Sequence, residues 1–212
     1  MWVVCSDLEG VFVPEVWINV AKITGIEKLK ITTRDEPDYD KLMKYRLNIL
    51  DEHNLKIQDI QQVISNIKPL PGALEFTKWL RDISRFVIVS DTFQEFAKPL
   101  MKQLDDPFIL CHSLEIAKDG RITNYKLRQS DPKRRTVEAF QSMNFKVIAF
   151  GDSYNDVSML KKAETLGLHE ICFTDHYDNN PNPEREQNIF TNEEYSYAYD
   201  RINAYEEVFH GI

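Results

Sequence analysis

Three apolar runs in this chain each stop at a cluster of acids, hydroxyls or amides, and that recurrence limits the folds open to it. Met1-Trp-Val-Val-Cys-Ser6 runs into Asp7-Leu8-Glu9-Gly10-Val11, and Phe86-Val-Ile-Val89 into Ser90-Asp91-Thr92. Lys146-Val-Ile-Ala-Phe150 runs into Gly151-Asp152-Ser153-Tyr154-Asn155-Asp156. Short runs rich in β-branched and aromatic residues read as buried strands. In open α/β sheets, ligands bind in the crevice beyond the carboxyl ends of the strands. A single cluster could be no more than an acidic turn after an edge strand, since acids often end strands. Three in succession, separated by helical patterns, point to one shared site at one edge of a doubly wound, mainly parallel α/β sheet.

Between the first and second runs the pattern turns helical. Pro14-Glu15-Val16-Trp17-Ile18 through Thr24 reads as a helix opened by proline and closed at Gly25. Asp38 suits the N-cap of a longer helix reaching Asn54, with Leu42, Met43, Leu47, Ile49 and Leu50 on its apolar side. Ile57, Ile60, Val63, Ile64 and Ile67 repeat at helical spacing. With no strand expected across 14–68, this stretch reads as a small helical cap, and residues 1–13 and 69–212 as the α/β core. Pro69-Leu-Pro-Gly72 marks the return.

Further along, Leu74, Phe76, Trp79, Leu80 and Ile83 fit a helix, and Phe93 to Leu104 another, kinked or split at Pro99. Phe108 to Cys111 reads as a short strand. Ser113 to Ile116 and Arg121 to Leu127 read as a hairpin turning at Lys118-Asp119-Gly120. Asp131 suits an N-cap with Pro132 at the first helical position, which puts Lys133 in the first turn. Val157, Met159 and Leu160 fit a helix after the third cluster, and Glu170 to Thr174 a further strand. Residues 175–188 read as loop, Ile189-Phe190 as a short strand, and Thr191 with Glu194 as the capping box of a last helix.

Composition narrows the function. The 212 residues are 42% hydrophobic and carry a net charge of −8, enough for a sizeable core and unsuited to nucleic acid or an anionic membrane. No apolar stretch approaches the ~20 residues that span a bilayer, so the cytoplasm is the expected compartment. Cys5, Cys111 and Cys172 are widely spaced, as buried free thiols of a reducing compartment would be. The five histidines form no helical pair, which disfavours zinc.

The remaining polar groups form a hard-oxygen set: Asp7 and Glu9, Ser90, Lys133, Asp152 and Asp156. Carboxylates with ordered water suit Mg²⁺, which binds one or two protein carboxylates together with phosphate oxygens. A carboxylate can also attack phosphorus, splitting one hard displacement into two easier ones through an aspartyl-phosphate. Lysine and serine would then hold the transferring oxygens.

These residues, in this order, resemble the four motifs of the haloacid dehalogenase superfamily of phosphatases. Asp-Leu-Glu-Gly-Val-x-Val-Pro-Glu at 7–15, Ile49-Leu-Asp-Glu-His53, Ser90-Asp91-Thr92-Phe93 and Asp131-Pro-Lys-Arg134 are similar to the bifunctional phosphoserine phosphatase/homoserine phosphotransferase group. The likeness covers about residues 1–165. It implies Asp7 as nucleophile and metal ligand, and Glu9 as general acid/base whose backbone carbonyl meets the metal. It further implies Asp152 as metal ligand, Ser90, Asp91, Lys133 and Asn155 as binders of phosphoryl group or substrate, and Asp156 as support for the metal shell or Lys133. Glu15 and Arg46 would grip the amino and carboxylate groups of phosphoserine, an arginine fork matching a carboxylate geometrically. Glu9 departs from the aspartate usual in the superfamily, a departure the bifunctional group shares. The expected activity is a Mg²⁺-dependent phosphoserine phosphatase with possible transfer to homoserine. A phosphatase for another small phosphate ester and a non-catalytic phosphate-sensing module stay open beside it.

Overall fold

The computed structural model describes residues 1–33, 35–164 and 171–172. Its centre is a six-stranded sheet built from β1 (Trp2–Ser6), β2 (Arg85–Phe93), β3 (Ile109–Ile116), β4 (Ile122–Lys126), β5 (Lys146–Gly151) and β6 (Ile171–Cys172). The strand order is β4-β3-β2-β1-β5-β6. All neighbours are parallel except β3 and β4. The first strand therefore lies inside the sheet, flanked by β2 and β5, and the chain winds outward from it in both directions. That reversal opens a crevice at the C-terminal end of β1.

Alternation along the strands serves two helical layers. Val4, Phe86, Ile88 and Phe150 face one apolar cluster, whereas Val3, Cys5, Val87, Val89, Val147 and Ala149 face another. The first layer holds α4 (Ala73–Ile83) and α5 (Gln94–Gln103), the second α6 (Pro132–Ser142) and α7 (Val157–Glu164). Pro99 sits inside α5, which stays one continuous helix.

Between β1 and α4 come α1 (Val16–Thr24), a 3-10 turn (Glu27–Lys30), α2 (Tyr39–Glu52) and α3 (Ile57–Ser65). Gly25 closes α1 in the left-handed conformation, and the Asp38 carboxylate accepts hydrogen bonds from Asp40 N and Lys41 N at the start of α2. The apolar faces of these helices join the first cluster without a break. Phe12, fully buried, stacks on Phe76 of α4 at 5.8 Å between centroids and tilts against Phe86 at 5.6 Å. Its carbonyl accepts from Leu70 N at 2.8 Å, so the outgoing and returning chains of the helical segment are tied at one point. Tyr125 donates to Asp40 at 2.7 Å and Ile57 N donates to the Gly120 carbonyl at 2.9 Å, fastening α2 and α3 to the β3–β4 hairpin.

The structure corrects several sequence expectations. β2 continues through Ser90-Asp91-Thr92 to Phe93, with a register shift between Val89 and Phe93, because its neighbour β3 is long enough to keep pairing. β3 is one strand where two were expected: its first half pairs with β2 and its second half with β4. Asp131 takes a left-handed conformation and does not cap α6; its carboxylate receives Arg134 and, at 3.0 Å, Ser158 instead. Pro14 precedes α1 by two residues and so does not open it. Expectations for 165–170 and 173–212, including the loop, the Ile189-Phe190 strand and the last helix, lie outside the described residues. No helix among the described residues is long and apolar enough to cross a membrane.

Because Phe12 joins sheet, α4 and the helical segment, Phe12→Ala should destabilise the protein by about 3–5 kcal/mol. Urea unfolding followed by circular dichroism measures it. A loss below about 1 kcal/mol would mean that the aromatic stack is not what joins these layers.

Candidate active site

The site is assembled from four backbone segments. Asp7 follows β1 directly, and its N–H donates to the Phe150 carbonyl at 3.1 Å, extending the ladder between β1 and β5 by one residue. Its Oδ1 accepts from Leu8 N at 2.8 Å, which fixes the carboxylate over the strand end. Asp91 lies near the end of β2, Lys133 in the first turn of α6, and Asp152 to Asp156 in the turn after β5.

Lys133 is 2% exposed and stands at the centre. Its Nζ lies 2.9 Å from Asp7 Oδ2, 2.6 Å from Asp156 Oδ1 and 3.7 Å from Asp91 Oδ2. Burial favours the neutral amine, but Asp7, Asp156 and Asp91 outweigh it and hold the ammonium above the ordinary lysine range. The second oxygen of Asp156 accepts from Asp152 N at 3.2 Å and Ser153 N at 3.1 Å, locking the turn.

Oxygens of Asp7, Asp152 and Asp156 come within 4.8 Å of one another. Burial first, then repulsion from Asp7 and Asp156, pushes Asp152 up to about 9. Burial with Asp156 and Asp91, against the pull of Lys133, raises Asp7 to about 7. The Asp152 carboxylate has no hydrogen-bond or ion-pair partner among the described residues, unlike Asp7 and Asp156. Crowded acids with one free carboxylate fit a divalent cation, whose charge would reverse these shifts. Gly10, at φ +80°, makes room for this: a Cβ there would stand 2.1 Å from Asp152 Oδ2.

Glu9 stands apart from the triad. Its Oε2 accepts from Val16 N at 2.8 Å at the start of α1. Burial, with Glu15 next, raises it to about 8, while the Val16 N–H and Arg46 act the other way. Arg46 is 7% exposed, lies 4.7 Å over the Trp17 ring and donates Nη2 to the Ile31 carbonyl at 2.6 Å. Its Nε is buried with no hydrogen-bond partner. Burial lowers it to about 10, and Glu9, Tyr39 and Glu15 offset part of that. Glu15 itself is exposed at the N-cap position of α1 without capping it.

Two groups of sequence candidates thus emerge. Asp7, Asp91, Lys133, Asn155, Asp152 and Asp156 meet around the lysine, with Asn155 Nδ2 donating to Asp91 Oδ2 at 2.9 Å. Glu9, Arg46 and Glu15 gather at the start of α1. Ser90 is buried beside Asp91, its Oγ accepting from Thr92 N at 3.2 Å. Asp156, expected to support Lys133 or the metal shell, pairs with Lys133 and also joins the triad, while the Glu9 carboxylate, expected as acid/base, lies outside it. Sequence reasoning missed His112, a lone histidine with no motif around it, whose ring faces Asp91. Burial pushes the Cys5 thiol up to about 12 and Cys111 up to about 11, so neither is a thiolate nucleophile.

A parallel sheet with a strand-end aspartate, a buried lysine and a second acidic turn defines a hydrolase class, and the chain belongs to it: the haloacid dehalogenase-like hydrolase family matches across residues 9–164. Within that family it is similar to phosphoserine phosphatase ThrH of Pseudomonas aeruginosa, 60% identical over 163 residues that cover 77% of this chain and 80% of that protein. A phosphoserine phosphatase of Pseudomonas syringae pv. tomato is 59% identical over 162 residues, covering 76% of this chain and 68% of that protein. A solved structure described as a phospho-aspartyl intermediate analogue of phosphoserine phosphatase superposes with a TM-score of 0.66 at 23% identity, over 81% of this chain and 86% of the other. That likeness establishes the fold.

The raised acids make a stability prediction. The folded, metal-free protein keeps protons on Asp7, Glu9 and Asp152 that the unfolded chain releases near pH 4. Their contribution is full below the ordinary carboxylate range and is lost as pH rises through about 7 to 9. In chelator, the melting temperature should therefore fall from pH 5 towards pH 9, and a divalent cation should restore it at the alkaline end. A chelator-insensitive melting temperature that is flat across this range would contradict the crowding.

Proposed function

We propose that this chain is a phosphoserine phosphatase that works through phosphorylated Asp7 and also passes the phosphoryl group to homoserine. The observation that carries the reading is the Asp7 carboxylate, fixed by Leu8 N and by Lys133 Nζ at 2.9 Å within an acidic triad. The two Pseudomonas relatives supply the substrate suggestion.

Asp7, Asp152 and the Glu9 carbonyl are the groups we assign to Mg²⁺, with Asp156 bracing the turn and Lys133. When bound, the ion would offset the burial and crowding that otherwise keep Asp7 partly protonated at neutral pH and would neutralise phosphoryl oxygens. An Asp7 oxygen attacks phosphorus, the bond from phosphorus to the serine oxygen breaks, and that oxygen takes a proton from Glu9. A carboxyl raised to about 8 is protonated at pH 7, as a general acid must be. Water, deprotonated by the resulting Glu9 carboxylate, then attacks phosphorus and frees Asp7. Ser90, Lys133 and Asn155 hold the phosphoryl oxygens, with Asp91 beside them.

Glu15 and Arg46 take the amino and carboxylate groups of the substrate. The buried Arg46 Nε without a partner is a donor waiting for an acceptor. Homoserine carries the same two groups, so a phosphorylated Asp7 could meet its hydroxyl in place of water.

Incubation with phosphoserine, Mg²⁺ and excess homoserine, read by mass spectrometry, should yield serine, phosphate and phosphohomoserine. Arg46→Ala should raise KM for phosphoserine by about tenfold or more and leave KM for phenyl phosphate nearly unchanged, since that ester has no carboxylate to lose. Equal effects on both esters would remove Arg46 from substrate recognition. Serine and phosphate without phosphohomoserine would remove the transferase half.

A further inference from the structure

His112 is 3% exposed, sits in β3 and meets the site at Asp91. Its Nδ1 accepts the backbone N–H of Arg128 at 3.1 Å. An accepting Nδ1 carries a lone pair, so the proton of the ring is on Nε2. That nitrogen faces Asp91 Oδ1 at 3.7 Å. The ring is kept in place by Tyr39 and Phe93, whose centroids both lie 6.3 Å away.

Asp91 occupies a junction. Its Oδ2 accepts from Asn155 at 2.9 Å and lies 3.7 Å from Lys133, and its carbonyl accepts from the Tyr39 hydroxyl at 3.1 Å. Burial disfavours its charge, yet the His112 contact, Lys133 and Asn155 together hold it down at about 2. A charged carboxylate in that position competes with Asp7 and Asp156 for the one ammonium. A donor on its far side decides how hard it competes.

We propose that His112 is a positioning residue: its Nε2–H, facing Asp91 Oδ1 at 3.7 Å and acting on it by charge–dipole attraction, sets where Asp91 presents its other oxygen, and thereby where Lys133 and Asn155 stand to receive a phosphoryl group. Without the imidazole, Asp91 turns towards Lys133 and draws Nζ from its place 2.9 Å from Asp7. The inference rests on the reading of this cluster as the phosphoryl site but not on phosphoserine being the substrate.

The test is titration of the Mg²⁺-loaded protein with inorganic phosphate, which asks about the cluster alone. His112→Phe should weaken phosphate binding by about tenfold, the low end of the ~10–100-fold that loss of a supporting partner costs at metal sites. His112→Gln, whose amide nitrogen reaches the position of Nε2, should bind as the unmodified protein does; His112→Asn, whose amide is too short, should resemble Phe. On an Asp91→Asn background, His112→Phe should add little, because the group it acts through is gone. Unchanged binding in His112→Phe, equal binding in the Gln and Asn variants, or the same fold-loss with and without Asp91 would each overturn the proposal. Should the Phe variant fail to fold, the Gln and Asn pair decides alone. Release of no serine from phosphoserine by the unmodified protein would count against the substrate reading and leave this titration intact.

Discussion

One buried ammonium shared among acids governs this structure. Lys133 at 2% exposure faces Asp7, Asp156 and Asp91, and Asp152 stands close behind with no ion-pair partner among the described residues. Taking such groups from water costs several kcal/mol per ion, and mutual attraction repays it only where the geometry is good. Here the lysine comes from α6 and the acids from β1, β2 and the turn after β5, so the cluster exists only when the sheet is complete. Burial, and then the excess negative charge of four carboxylates against one ammonium, raises Asp7 and Asp152, and that excess suits the site to a further cation.

The fold delivers this by ordinary means. Parallel strands end on one edge, and β1 between β2 and β5 places three polar strand ends side by side. Small residues permit the close approach: Gly10 leaves room for the Asp152 carboxylate, and a Cβ on Gly151 would stand 2.4 Å from the Cβ of Asp156. The helical segment reaches the same edge. It shares its apolar cluster with the sheet, and brings Arg46 and Tyr39 over the strand ends, Arg46 stacked on Trp17 and Tyr39 bonded to the Asp91 carbonyl.

Much of this was legible in the sequence because the signals were local. Apolar runs of four to six residues announced the central strands, Asp38 announced its helix, and Gly25 its end. Asp7, Lys133, Asp152 and Asp156 could be picked out because each follows a strand or opens a helix. What depends on partners far away in sequence was not legible. The length of β2 is set by β3, the union of two expected strands into β3 by β2 and β4 in turn, and the conformation of Asp131 by Arg134 and Ser158. That Asp156 would share the cluster with Asp7 and Asp152 while the Glu9 carboxylate turns to Val16 N follows from side-chain directions that spacing does not encode. His112 gave no signal because its role depends on two contacts, to Asp91 and to the backbone at Arg128, that only the folded sheet creates.

The central claim is that Asp7 bonds covalently to phosphorus. Rapid acid quenching of the protein during turnover of phosphoserine with Mg²⁺, followed by peptide mass spectrometry, tests it without an intermediary. A phosphoryl group on the peptide containing Asp7, absent in Asp7→Asn along with turnover, is the predicted result. Turnover by Asp7→Asn at the rate of the unmodified protein, with no phosphorylated peptide in either, would contradict the account.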